Sequence, residues 1–184
     1  MHMTGAWILL IFVVLATAVM LLLLHLTRLG DLVHTSIPDR PRRRLFLASV
    51  SFFVTFLGVR LLVASITHHI GPFGWVEVGG RHIHHLVWGI FLLLLVGYAW
   101  LAEAGSGDTP TAIFVSRLLA ILYGAGAALT LDEFALWLNL ANVYWSPEGR
   151  ESIDAVILFG AALAAGAWGA PFFSSLGRRR QSGS

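Results

Sequence analysis

Five apolar runs separated by short polar segments set the pattern of this chain. Residues 7–26, 45–66, 83–101, 112–140 and 155–173 are written mainly in Leu, Val, Ala, Phe and Gly. A helix rises 1.5 Å per residue, so about 20 apolar residues cross a hydrocarbon core of about 30 Å. The pattern therefore predicts an all-α polytopic transmembrane bundle of about five spans, a single transmembrane domain over residues 1–184, with 177–184 as a basic, disordered tail. The first run is long, has no basic segment before it and no small-x-small cleavage pattern after it, so it reads as a retained span. The fourth run is longer than one crossing needs. It either tilts or continues past Asp132 as an interfacial segment.

The connections refine this picture. Residues 27–44 carry Arg28, Arg40, Arg42, Arg43 and Arg44, with Pro38 and Pro41 expected to break any helix. Val76-Glu77-Val78 reads as a brief extended piece. Thr109 or Asp108 is placed to cap the fourth span, with Pro110 in its first turn. Ala161, Ala165 and Gly169 recur every fourth residue, a small-residue face for helix packing or for a homo-oligomer contact. Gly89, Gly124, Ala125 and Ala128 would let the third and fourth spans approach closely.

Composition agrees with the pattern. The 184 residues are 57% hydrophobic and 12% charged, against about 25% charged in a soluble domain, and the mean hydropathy is +0.79. Lys is absent, and the Arg residues cluster beside spans, where charge sets topology. The isoelectric point of about 9.7 therefore points to the lipid bilayer as partner and not to nucleic acid. With 0 Cys there is no disulfide, thiolate ligand or Cys nucleophile. The positive-inside rule places the N-terminus outside and the C-terminus in the cytoplasm, across a cytoplasmic (inner) membrane.

Against this background the polar intrusions stand out. On that topology, Arg60, the histidines His68, His82, His84 and His85, and the acids Asp132 and Glu133 all fall near the outer face. Arg60 lies inside the second span, where a charge is costly, and either pairs with Asp132 or Glu133 or snorkels outward. His82 and His85, spaced i,i+3, would share a helix face. His84 points elsewhere unless the helix begins after it. With one acid, these imidazoles form a donor set suited to Zn, Fe or Mn, with His84 or His68 as a further contributor. The alternative is structural: histidines bonded to loop carbonyls and Asp132–Arg60 as an ion pair.

The segments from Gly79 to Ile90 (Gly-Gly-Arg-His-Ile-His-His-Leu-Val-Trp-Gly-Ile) and from Leu131 to Leu138 (Leu-Asp-Glu-Phe-Ala-Leu-Trp-Leu) resemble motifs of uncharacterised bacterial multi-pass integral membrane proteins. So do Asn142 to Trp145 and Gly149 to Asp154. The likeness covers roughly residues 45–170, one bundle in extent. It implies that the His and Asp-Glu segments form the site, and it adds no reaction. The chain departs from histidine-rich membrane hydroxylases and desaturases, whose several H-x-x-x-H and H-x-x-H-H boxes it lacks.

Two functional classes follow. In the first, a metal-dependent membrane hydrolase acts near the outer leaflet on a lipid-like substrate, with Glu133 or Asp132 as base. In the second, the protein is a non-enzymatic membrane binding, sensing or assembly protein whose polar cluster is a structural metal or ion-pair site. Transport is disfavoured, because the inner half shows no matching polar relay and no inverted repeat.

The expected topology is checked by single-cysteine labelling at Ser36→Cys and Ser146→Cys in a chain free of native Cys. An impermeant reagent applied from outside should label position 146 and spare position 36. The reverse pattern would invert the orientation.

Overall fold

The computed structural model describes the backbone of residues 5–37, 39–70, 77–78, 81–82, 84–140 and 147–168; within these, the side chains of 5–10, 77–78, 81–82 and 148 are not described. The described residues form an all-α protein of seven helices: α1 (Gly5–Leu26), α2 (Leu29–Ser36), α3 (Arg40–Thr67), α4 (His85–Leu101), α5 (Pro110–Asp132), α6 (Phe134–Asn139) and α7 (Arg150–Trp168). A two-stranded antiparallel ribbon, β1 (Glu77–Val78) and β2 (Arg81–His82), pairs Glu77 with His82 just before α4. The extended piece expected at Glu77-Val78 is thus one strand of a ribbon.

Three helices, α3, α5 and α7, are long and apolar enough to cross a membrane. The number rises to four if α1 and α2, bent by 79° relative to one another, count as one span. Helix α4 is apolar but has only 17 residues. Two expectations are corrected here. The segment 27–44 is not a helix-free linker: α2 occupies most of its first half, and α3 already begins at Arg40. Pro41 does not break α3 because it lies in the first turn, where a missing N–H has no partner to lose. Of the two alternatives for the run 112–140, the chain continues past Asp132 as a separate segment: Glu133 leaves helical geometry (φ −107°, ψ 25°) and divides α5 from α6. The last apolar run is helical from Arg150, and its end beyond Trp168 lies outside the described residues, as does the basic tail.

Local chemistry accounts for the helix ends. Thr109 caps α5 by accepting the Ala112 N–H, with Pro110 next in line. Helices α3 and α4 close with the same paired bonds. His69 N–H reaches Ile66 O and Ile70 N–H reaches Ser65 O, while Glu103 and Ala104 repeat the pattern on Trp100 and Ala99. His69 (φ 54°) and Glu103 (φ 56°) take the left-handed conformation this closure demands.

Helix α5 is the centre of the bundle. Phe52 of α3 packs with Ala127 and Ala128 of α5 and with Val156 and Leu163 of α7. Val59 and Val63 of α3 meet Ala125 and Leu129 of α5 and Val13 of α1. Apolar burial separates helices poorly from lipid, so close backbone approach has to supply the packing energy. Small residues provide it on two sides of α5. A Cβ on Gly89 would stand 2.4 Å from Thr130 Oγ1 and 2.7 Å from Gly126 O, so α4 crosses α5 at Gly89 and Gly126. Gly124, expected to face α4, faces α3 instead: its Cβ would meet Ala48 O at 2.2 Å. The reason is helical phase, since residues two apart on a helix point about 200° apart.

Gly89→Ala should lower the stability of the detergent-solubilised protein by about 1–3 kcal/mol, because the added methyl meets backbone on α5. Gly97→Ala, in the same helix with nothing within 4 Å, should be neutral or stabilising by up to about 1 kcal/mol. Thermal unfolding of the two variants side by side checks the α4–α5 contact.

Candidate functional site

The polar residues gather where α3, α4 and α5 end together. Asp132 closes α5 with 0% of its surface exposed, and Glu133 follows with 6%. A carboxylate at a helix C-terminus faces the negative end of the helix dipole, and one with no water contact costs several kcal/mol unless paired. Both costs are offset by two donors. Arg60, projecting from α3, binds Asp132 Oδ1 through Nε and the Asp132 carbonyl through Nη2 at 3.4 Å. His85 Nε2 stands 2.9 Å from Asp132 Oδ2. The Arg60 guanidinium also lies over the Phe56 ring at 5.2 Å, a favourable cation–π contact.

Glu133 does a different job. Its Oε2 accepts the Leu86 N–H at 3.0 Å, and its Oε1 lies 2.7 Å from His84 Nδ1. Leu86 is the second residue of α4, and His84, the residue at its N-cap, makes no side-chain cap bond. The cap of α4 is therefore delivered from another helix: an anion set on the positive end of the α4 dipole and bonded to one of its unpaired N–H groups. His85 Nδ1 is 3.6 Å from Glu133 Oε2, which joins the two acids into one cluster. Helix α6 is served the same way, since buried Ser152 of α7 accepts the Ala135 N–H at 2.9 Å.

The expected residues divide as follows. Arg60, His84, His85, Asp132 and Glu133 are brought together. His82 does not share a helix face with His85, because α4 starts only at His85 and His82 belongs to β2. The helix starts there because His84 is extended (φ −69°, ψ 144°) while Glu133 engages Leu86. His84, given the lesser role by its position in a continuous helix, thus joins the cluster by preceding the helix. The His82 side chain lies outside the described residues. His68 is exposed at the C-terminal end of α3, and among the described residues its side chain makes no hydrogen bond or ion pair. Among the described residues no group of three or more His, Asp and Glu side chains is arranged to hold a metal ion. Sequence reasoning missed the Leu86 N–H and Ser152. A signal for the first was present: His84-His85 opens an apolar run with no Ser, Thr, Asp or Asn in front of it to act as a cap.

Compared with protein-family models, curated proteins and solved structures, the chain matches none. The likeness carried by the His-Ile-His-His and Leu-Asp-Glu-Phe segments therefore assigns no family. What stands is a helical protein with three to four candidate membrane spans and a buried His/carboxylate ion-pair cluster.

Arg60→Leu should cost about 3–5 kcal/mol, because it strands a buried carboxylate. Arg60→Leu combined with Asp132→Leu should cost much less than the sum of the single changes, since no uncompensated charge remains. A double-mutant cycle on thermal unfolding in detergent measures the coupling, and additive losses would deny that the pair acts as a unit.

Proposed function

We propose that this chain is a five-span protein of the cytoplasmic membrane, N-terminus outside, that works as a binding or assembly protein and not as a catalyst. In this reading α1, α3, α4, α5 and α7 cross the bilayer, α2 lies along the inner surface, and the His/carboxylate cluster locks the outer ends of three helices. One observation carries it. All four carboxylate oxygens of the cluster are engaged by the protein's own groups: Asp132 by Arg60 and His85, Glu133 by His84 and the Leu86 N–H. A general base must reach a proton on its substrate; two buried acids held in this way tie α3, α4 and α5 together instead. The assembly side of the reading draws on α7, where Ala161 and Ala165 are exposed while Gly160, Leu163 and Ala167 face the bundle. That leaves a small-residue face for a second copy.

A second reading is favoured by a different feature of the same residues. A carboxylate facing one nitrogen of an imidazole is the arrangement that orients metal-ligating histidines through their other nitrogen, and Glu133–His84 is such a pair, whereas His85 faces an acid with each of its nitrogens. His84, with His82 or His68 as further contributors, would then hold Zn, Fe or Mn. The bound ion would supply an activated water for hydrolysis of a lipid-like substrate.

Elemental analysis of protein purified without chelator separates the two. The first reading expects no stoichiometric metal, and no loss of thermal stability on dialysis against a chelator. About one ion per chain, lost in His84→Ala, would replace it with the second. The assembly component is read from Ala161→Cys in the cysteine-free chain: oxidation in membranes should give a crosslinked dimer, whereas a chain that stays monomeric would remove it.

A further inference from the structure

A second polar centre lies at the other end of the bundle. Arg44 and Arg60 are sixteen residues apart on α3, roughly 24 Å at 1.5 Å per residue. Around the first turn of α3, a small cavity is lined by His34, Arg40, Arg43, Arg44 and Arg117, with Leu47 and Ile113 among its apolar walls. Three helices contribute: His34 from α2, the Arg40–Arg44 turn from α3 and Arg117 from α5.

Two of these guanidinium groups are positioned by bonds to uncharged groups. Arg44 Nε donates to Ser116 Oγ at 2.7 Å and Nη2 to Gly105 O at 2.9 Å. Arg43 Nη1 meets His34 Nδ1 at 2.6 Å, where the imidazole nitrogen must accept. Arg40 binds Ser106 O and the carboxylate of Asp108. Arg117 is partly buried, and among the described residues it makes no hydrogen bond or ion pair. Arg40 and Arg117 both act electrostatically on Arg43. Two acids face the group, and each is engaged: Asp108 with Arg40, and Asp39 with Arg42 at 3.6 Å. The cavity therefore collects like charges with a clear positive excess beside apolar walls, an arrangement that would favour an anion.

We infer that this cavity binds a phosphate group. Several guanidiniums converging from two helices, α3 and α5, suit a tetrahedral oxyanion, whose oxygens accept bidentate, charge-assisted bonds. The cavity volume is about 20 Å³, room for phosphate oxygens to enter while the rest of the molecule stays outside. The phosphate is carried either by an anionic lipid headgroup or by a soluble phosphate, and the same residues would read both.

The test uses the full chain, delipidated in a neutral detergent, with thermal stability followed against added ligand. Dioctanoyl phosphatidic acid, inorganic phosphate and dioctanoyl glycerol are the three probes. Saturable stabilisation by the phosphatidic acid but not by inorganic phosphate identifies a lipid site. Equal saturation by inorganic phosphate identifies a soluble phosphate. Either result supports the inference. Arg117→Gln and Arg43→Gln should each weaken the apparent affinity about tenfold, the loss of one charge-assisted contact, and if one variant does not fold the other is read. Arg28→Gln, an exposed Arg outside the cavity, should leave the affinity unchanged. The inference fails if neither phosphate probe saturates, if dioctanoyl glycerol stabilises as well as phosphatidic acid, or if Arg28→Gln loses as much as Arg117→Gln.

Discussion

Asp132 is a carboxylate without exposed surface at the end of the most buried helix, and the arrangement around it is what the upper part of the bundle is built to satisfy. Its charge opposes the dipole of its own helix and has no water to solvate it. Arg60 and His85 answer from two other helices. Neither can do so unless α3 and α4 lie against α5 in one register. The Gly89–Gly126 crossing sets that register on one side, and the packing of Val59 and Val63 against Ala125 and Leu129 sets it on the other. A buried pair of this kind adds little net stability over an apolar pair, yet it penalises any other register heavily, because slippage would leave a bare charge. Specificity of helix arrangement is its physical contribution.

Glu133 complements this by acting on helix ends. One residue beyond α5, it starts α6 through its own backbone and caps α4 through its side chain. Ser152 then closes the start of α6 from α7. The first N–H groups of a helix have no partner within it. Here they are satisfied from neighbouring helices, so the ends of α4 and α6 depend on tertiary structure for their definition.

The two polar centres lie at opposite ends of an apolar middle. Acids and imidazoles collect beside Arg60, and guanidiniums collect around the first turn of α3. Between them the core is Phe52, Ala128, Leu129 and their neighbours. The separation along α3 is comparable with the thickness of a hydrocarbon core. Each centre can thus sit at an interface while the packed middle faces acyl chains.

Hydropathy is a local property, so the chain alone determined that the protein is helical and rich in candidate membrane spans. The Thr109-Pro110 start of α5 and the short extended piece at Glu77-Val78 were readable for the same reason. The cost of an isolated charge in an apolar span pointed from Arg60 to the acids before any geometry was known. Tertiary structure decided what depends on several segments at once. The length of residues 112–140 left a tilt and a break after Asp132 both open, and tertiary structure chose the break, because the Glu133 side chain belongs to the start of α4 and the chain after it to Ser152. His84 could be placed only once the first residue of α4 was known. Gly124 turned to α3 and not to α4 because helical phase, not residue size, chooses the neighbour. Only the approach of α2, α3 and α5 makes Arg117 part of a cavity.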